Sequence, residues 1–182
     1  MKPFTVLNDI TVRQWRPEDA DAVLLAVKEN YDHLREYMHW ATPDYSIDDA
    51  REFIMSGLAS AGEKKSCGLG IFRGERVIGS IDFVKFDQNS RRTEIGYWIS
   101  KAEEGKGIIT RICRVLIDHA FNELGMNRVE IRCAADNTRS AAVAERLGFA
   151  KEGVLRQSEM RNGRLHDFRI YGLLAAEWSR TE

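Results

Sequence analysis

One stretch of the sequence constrains the fold more than any other: an apolar strand that leads through two glycines into an amphipathic helix. The strand pattern ends near Ile99, and the glycines are Gly105 and Gly107. From Ile109 onward, apolar residues recur at offsets of three, four, seven, eight, eleven, twelve and fifteen, which places them on one helix face. Gly125 follows the last of them, where a left-handed helix cap belongs. The stretch therefore predicts a strand–loop–helix unit.

The loop of this unit has the features of an anion site. The first N–H groups of a helix have no partner within it, and the helix dipole places partial positive charge there. Gly105 and Gly107 lack a Cβ, so a ligand can approach the backbone closely, and Lys106 adds a full charge. The spacing favours a phosphate or pyrophosphate site, with a flexible turn before an ordinary helix as the alternative.

Strands and helices are predicted on both sides of this unit, with helix starts at Ser46-Ile47-Asp48-Asp49 and at Asp136-Asn137-Thr138. Short-linked strands before the loop indicate an antiparallel meander, and the strand–helix–strand order across the loop indicates one parallel crossover. The turn Arg161-Asn162-Gly163 predicts a hairpin at the end of the chain. Together they predict an α/β (α+β) fold, a mixed and mostly antiparallel sheet of about seven strands with about four helices. The predicted strands cover residues 10–15, 67–72, 76–86, 92–99, 128–133, 149–160 and 165–174.

Composition excludes several classes of protein. The 27 basic and 28 acidic residues nearly cancel, which leaves no basic footprint for nucleic acid. No apolar run is long enough for a transmembrane helix, and residues 1–9 lack the apolar core of a signal peptide. Three cysteines without close pairing favour a reduced, cytoplasmic chain. The scattered histidines predict no metal site, and neither a P-loop nor a Rossmann glycine pattern is present.

Two motifs resemble those of a known family. The run 104–109 is similar to the acetyl-CoA pyrophosphate loop of the GCN5-related N-acetyltransferases (GNAT), in which Gln or Arg precedes two residues, Gly, any residue and Gly or Ala. Glu104 and Ile109 depart from that pattern. The run 137–149, from an Asn through a helix to Gly-Phe, resembles the later family motif. The order of the two motifs identifies the chain as a member of this family, and the residues from Ile95 onward resemble its RimJ/RimL-like branch, which acetylates the N-termini of ribosomal proteins.

The resemblance implies a GNAT-type domain over residues 10–176, with short terminal extensions at 1–9 and 177–182. It implies acetyl-CoA as co-substrate, no metal, and acetyl transfer to a primary amine. The branch implies that the acceptor is the N-terminal α-amine of a protein. By analogy with that branch, it implies a ribosomal protein. It also implies a homodimer or larger homo-oligomer, with no direct nucleic-acid or membrane partner. A small-amine (polyamine or aminoglycoside) acetyltransferase remains an alternative. So does a non-catalytic acyl-CoA sensor, because Ala144 stands where the family usually has its tyrosine acid.

The resemblance also implies site residues. In this family the strand before the loop splays from its neighbour, so its backbone pairs with pantetheine and polarises the thioester carbonyl. Ser140 is implied as the proton donor to the coenzyme A sulfur, with a helix-start cap as the alternative. The residues implied to hold the cofactor are Tyr97, Trp98, Ile99, Glu104, Gly105, Lys106, Gly107, Ile108, Ile109, Thr110, Asn137 and Ser140.

The sequence leaves alternatives open for the base that deprotonates the acceptor amine and for the groove that binds the acceptor. An α-amine has a pKa near ~8, so a weakly tuned carboxylate suffices as base. Glu159, ranked slightly ahead, and Glu94 are the candidates, with exposed strand carboxylates as the alternative for both. Arg111 and Arg139 are predicted either to contact phosphate or to be solvated. The aromatic segment is predicted either to shape the acceptor groove or to pack in the core, and it contains Tyr31, Tyr37, His39 and Trp40.

Overall fold

The computed structural model describes residues 1–7, 9–62 and 66–178. Within them one eight-stranded sheet is flanked by five α-helices, in the strand order β1-β2-β3-β4-β5-β6-β8-β7. The strands are β1 (Phe4–Val6), β2 (Ile10–Gln14), β3 (Cys67–Arg73), β4 (Arg76–Asp87), β5 (Arg92–Ile99), β6 (Arg128–Ala134), β7 (Ala150–Arg161) and β8 (Arg164–Leu174). The helices are α1 (Ala20–Glu29), α2 (Tyr31–Leu34), α3 (Ile47–Gly62), α4 (Ile108–Asn122) and α5 (Thr138–Arg146).

This architecture confirms the predicted mixed fold, with small differences in the number of elements. The additional strand is β1, which pairs antiparallel with β2 although its residues lie in the stretch expected to be a terminal extension. Its three residues are too few to show a periodic pattern in the sequence. The single turn α2 lies at the start of the aromatic segment, for which the sequence predicts a shorter and less regular helical stretch.

The sheet is antiparallel except where β5 and β6 run parallel, joined by α4 as the sequence predicts. Their ladder is short: it starts at the pair Arg92↔Arg128 and ends at Glu94↔Glu130. The rest of β5 continues to pair with β4 as far as Ile99. Beyond Glu94, in the described chain, β5 therefore has a ladder partner on one side only, and β5 and β6 diverge.

Helices cover the sheet on both faces. The apolar stripe of α4 packs with α5 and the strands in the larger core, and α1 and α3 cover β3 and β4 on the other face. The predicted start of α3 is confirmed, because the Ser46 N–H donates to Asp49 Oδ2 (2.7 Å) and the Asp49 N–H to Ser46 Oγ (3.3 Å). Gly125, three residues after the end of α4, has a φ of +64°, the left-handed conformation expected from the sequence.

The β7–β8 hairpin turns at Asn162 and Gly163, both with positive φ, as its sequence predicts. The register shifts between Leu155 and Glu159, so β7 bulges there before regular pairing resumes. At the tip, Asn162 Nδ2 donates to the Arg35 carbonyl (3.1 Å), which ties the hairpin to the segment after α2.

Asp82 on β4 gives the fold a pH-dependent stability. Burial raises its pKa to about 7, and a hydrogen bond from Ser80 offsets this only in part. Unfolded, the carboxyl titrates near ~3.9, so between these pH values the folded state binds more protons and stability falls as pH rises. Asp82→Asn should therefore raise the free energy of unfolding by about 2–4 kcal/mol at pH 8, and by less at pH 5. Denaturant melts at both pH values measure this.

Asp87→Asn is the matched control on the same strand. The Ser90 N–H holds the pKa of Asp87 below its usual value, so its contribution has the opposite sign, present at neutral pH and lost as pH falls. The control should be destabilising at pH 8. An equal gain from Asp82→Asn at both pH values would contradict the prediction.

Candidate functional site

A cavity of about 980 Å³ opens beside the divergent end of β5. It is bounded by β5, by the loop and first turns of α4, by the start of α5 and by residues 33–38. Its volume lies at the upper end of the range for ligand pockets. Every residue predicted to hold a cofactor lines it except Lys106, whose Nζ bonds to Glu103 Oε2 instead (2.9 Å). The cavity thus brings together two sequence motifs that lie a strand apart.

The loop before α4 presents backbone donors to this cavity. Gly105 and Gly107 both have a φ of +74°, and a Cβ on either would meet nothing within 4 Å. The first helical bond runs from the Arg111 N–H to the Gly107 carbonyl, so the N–H groups of residues 108–110 precede the helical ladder. The side chains of Ile108 and Ile109 are buried in the core, which leaves only their backbone for a ligand. An anion such as a diphosphate fits this arrangement.

Glu104 is surrounded by basic side chains. Lys101 Nζ lies 2.8 Å from one carboxylate oxygen, and Arg139 Nη1 and His33 Nε2 lie 3.1 Å and 3.5 Å from the other. Burial alone would raise the pKa of Glu104, but the bond from Lys101 and the charges of His33 and Arg139 leave that pKa below its usual value. Glu104, which stands where the family has Gln or Arg, therefore holds basic side chains beside the loop.

The start of α5 places a hydroxyl pair in the cavity. Asn137 Oδ1 accepts a hydrogen bond from the Ser140 N–H (3.0 Å), which confirms the predicted cap and leaves Asn137 Nδ2 as a donor. Ser140 Oγ lies 2.8 Å from the Tyr97 hydroxyl, and burial raises the pKa of Tyr97, so the phenol stays neutral. Ala144, one turn further along α5, is fully buried. Ser140 and Tyr97 thus form a hydrogen-bonded pair of hydroxyls in the cavity wall.

The two candidate carboxylates lie outside the cavity lining. Because Ile95 points into the α4 core, its neighbour Glu94 points to the opposite face of the sheet, at the point where β5 and β6 part. Burial raises the pKa of Glu94, Arg132 at 3.4 Å opposes this, and the charge of Glu159 raises it further. Glu159 itself is exposed on β7, opposite His166. The pair faces the side away from α4 and α5.

The aromatic segment divides between cavity and core. Tyr37 lines the cavity, whereas Trp40 packs against Tyr45 and Trp98, and Tyr31 and His39 do not reach the lining. Sequence reasoning missed the other lining residues of this segment, which have no periodic or chemical pattern: His33, Leu34 and Met38. It also missed Arg114 and Arg146. Arg114 lies one helical turn after Arg111, a spacing that offered a signal.

Comparison with known proteins decides the family. Residues 9–150 match the family model described as an acetyltransferase (GNAT) domain. The chain belongs to the GNAT acetyltransferase family. A Bacillus subtilis protein named "Putative ribosomal N-acetyltransferase YdaF" is 39% identical over 174 residues, 95% of each chain. The ribosomal-protein-serine acetyltransferase of Escherichia coli is 30% identical over 143 residues, 79% of this chain and 80% of its own. The structure of the microcin C7 self immunity acetyltransferase MccE with acetyl-CoA and AMP is 30% identical and has a TM-score of 0.87, covering 92% of this chain and 93% of its own.

This GNAT enzyme is therefore an acetyl-CoA-dependent N-acetyltransferase, and the predicted family, fold and co-substrate are confirmed. The cavity fits acetyl-CoA, because open space lies over both loop glycines and the helix-start N–H groups adjoin it. Among residues 1–7, 9–62 and 66–178, no cluster of His, Cys, Asp and Glu is suited to a metal ion. No helix in the same part of the chain has the length and apolar character needed to cross a membrane.

Proposed function

We propose that this GNAT enzyme acetylates the N-terminal α-amine of a protein, and that the protein belongs to the ribosome. The names of two relatives, at 39% and 30% identity, support this acceptor. The observation that carries the proposal is the division of the site between two faces of the sheet. The loop and Ser140 lie on the α4–α5 side, and Glu94 and Glu159 lie on the other. An amine can therefore approach the carboxylates from the face opposite the cofactor loop.

The chain's own groups supply binding on the cofactor side. We assign the N–H groups at the start of α4 to the diphosphate and Asn137 Nδ2 to the amide arm, with Arg111 and Arg139 as charged neighbours on the cavity wall. Lys106, bonded to Glu103, is left without a direct role. Acetyl-CoA supplies the acetyl group as an activated thioester.

Proton transfer is assigned to side chains on both faces. Ser140 Oγ would donate its proton to the departing sulfur, and the hydroxyl of Tyr97, 2.8 Å away, would hold Ser140 in place. On the opposite face a carboxylate would accept the proton of the amine. Glu159 is accessible, whereas Glu94 is partly buried and 3.4 Å from Arg132. We therefore keep Glu159 ahead of Glu94 as the base.

Paired substitutions separate these two carboxylates. Glu159→Gln should lower kcat/KM for the acceptor by about 100-fold, the usual contribution of a general base. Glu94→Gln should lower it less than about tenfold, because it removes a neighbouring charge rather than the proton acceptor. Steady-state kinetics at saturating acetyl-CoA measure both, and a larger loss from Glu94→Gln would reassign the base to Glu94.

The acceptor itself is tested by a panel of amines. Short peptides that begin with serine, alanine or threonine are compared with their N-blocked forms, a lysine side-chain amine, and spermidine, by release of free thiol and by mass spectrometry. Turnover only with free peptide N-termini supports the proposal. Turnover with spermidine alone would replace it with a small-amine acetyltransferase, and acetyl-CoA binding without turnover would replace it with a sensor.

Labelling of a ribosomal-protein extract with radioactive acetyl-CoA then identifies the protein that is modified. We also retain two sequence predictions for this enzyme, a single domain over residues 10–176 and a homo-oligomeric state. Limited proteolysis tests the first, and light scattering tests the second.

A further inference from the structure

Arg161, the last residue of β7, has a buried guanidinium with an unused donor. The residue is only 5% exposed. Its Nη2 donates to Asp136 Oδ2 (2.9 Å) and lies 2.8 Å from His166 Nδ1. Its Nη1 is buried and has no hydrogen-bond partner in the part of the chain that the structure describes. Buried donors nearly always have a partner, so an unpaired one calls for an explanation, and a bound ligand is one that can be tested.

The guanidinium stands next to the cavity. The ring of Tyr37, which lines the cavity, lies with its centroid 5.3 Å from Arg161 Cζ. The neighbouring Asn162 bonds to the Arg35 carbonyl, so the hairpin tip and the segment of Tyr37 are held together. Asp136, which pairs with Arg161, directly precedes the lining residue Asn137. Arg161 thus contacts Tyr37, which lines the cavity, and Asp136, which is next in sequence to a lining residue.

Arg161 also shares a face of β7 with the proposed base. Pairing is regular from Glu159↔His166 to Arg161↔Arg164, so side chains two residues apart point to the same side. Two strand residues span about 6.6 Å. In an extended peptide, a similar distance separates the terminal amine from the second carbonyl oxygen, whereas the first, only three bonds from the amine nitrogen, lies much closer. A peptide whose amine meets Glu159 would therefore bring a carbonyl toward Arg161.

We propose that Arg161 binds a backbone carbonyl oxygen of the acceptor, that of its second peptide bond. The inference rests on the proposed function, in which the acceptor is a peptide N-terminus. A guanidinium suits this role because it is always charged and presents its donors in a fixed plane. Polyamines have no carbonyl to offer, so Arg161 favours peptides over simple amines. In this proposal Arg161 determines which acceptor binds, whereas Glu159 removes the proton from the acceptor amine.

The test compares a peptide with analogues that lack one carbonyl. The best peptide of the panel and two analogues, with a trans-alkene at the first or second peptide bond, are assayed with wild type and Arg161→Met. We expect Arg161→Met to lower kcat/KM for the peptide about tenfold or more, mainly through KM, since a charged hydrogen bond is lost. For the analogue that lacks the bound carbonyl, the same substitution should change kcat/KM hardly at all.

Arg164→Met is the matched control, since it removes the same charge from an exposed position across the hairpin. It should affect the three substrates equally. Arg161→Lys keeps the charge but not the planar donors, and it replaces Arg161→Met if that variant fails to fold. If Arg161 only braces Asp136 and His166, both analogues and the peptide lose activity by one common factor, which overturns this inference alone. If the wild type turns over no peptide, the proposed function fails and this inference fails with it.

Discussion

Gly107→Glu should weaken acetyl-CoA binding at least 100-fold and leave the fold intact. Gly107 caps α4 with a φ of +74°, and a Cβ there meets nothing within 4 Å. The new side chain therefore has room but would project over the loop, where its carboxylate repels a diphosphate and competes for the N–H groups at the helix start. The left-handed conformation costs about 1–2 kcal/mol for any residue with a Cβ, so some stability is lost as well. Calorimetric titration with acetyl-CoA measures the affinity.

Gly74→Glu separates the effect on binding from the effect of strain. Gly74 also has a positive φ and open space at its Cβ position, but it lies in the turn between β3 and β4, away from the cavity lining. Both variants should melt at a lower temperature by similar amounts, and only Gly107→Glu should lose the cofactor. Unchanged affinity in Gly107→Glu would show that the diphosphate binds elsewhere.

Ser140→Ala should lower kcat about 100-fold or more, with the Kd for acetyl-CoA changed less than about threefold. The hydroxyl of Ser140 lies in the cavity, whereas its contribution to α5 comes from its N–H bond to Asn137, which alanine keeps. The loss of activity should therefore fall on the chemical step rather than on cofactor binding, with a modest loss of stability because the Tyr97 hydroxyl loses its partner. Single-turnover kinetics with saturating cofactor measure that step.

Ser80→Ala is the control for the loss of a buried hydroxyl. Ser80 lies on β4, outside the cavity, and its hydroxyl lies 3.3 Å from both the Leu69 carbonyl and Asp82 Oδ1. It should reduce stability by about 1 kcal/mol and leave kcat unchanged. Wild-type turnover in Ser140→Ala would remove Ser140 from the mechanism, and the Tyr97 hydroxyl beside it would become the next candidate acid.

The sequence predicts those parts of the fold that depend on residues close together in the chain. The stripe of α4, the cap of α3 and the hairpin turn at Asn162 depend on residues a few positions apart, and all three are confirmed. The parallel crossover followed from the order of elements. The two family motifs predicted many of the residues that line the cavity, because one motif lies at the start of α4 and the other at the start of α5.

The remainder depended on contacts between distant segments. No local pattern shows that Glu104 would meet His33 and Arg139, or that Tyr97 on β5 would reach Ser140 on α5. For the same reason, the sequence does not decide whether the aromatic segment lines the acceptor groove or packs in the core. Its aromatic residues are alike in sequence, and only packing distinguishes Tyr37 in the cavity wall from Trp40 in the core.

The shortness of the β5–β6 ladder has a mechanical consequence. Strands β1 to β5 form one panel of the sheet and β6, β8 and β7 form the other, and the backbone seam between the panels has three paired positions, from Arg92↔Arg128 to Glu94↔Glu130. A ligand in the cavity would connect the two panels, because Tyr97 and Trp98 on β5 and Asn137 and Ser140 after β6 all line it. We therefore expect the ligand-free enzyme to be cleaved by proteases faster than the enzyme loaded with acetyl-CoA.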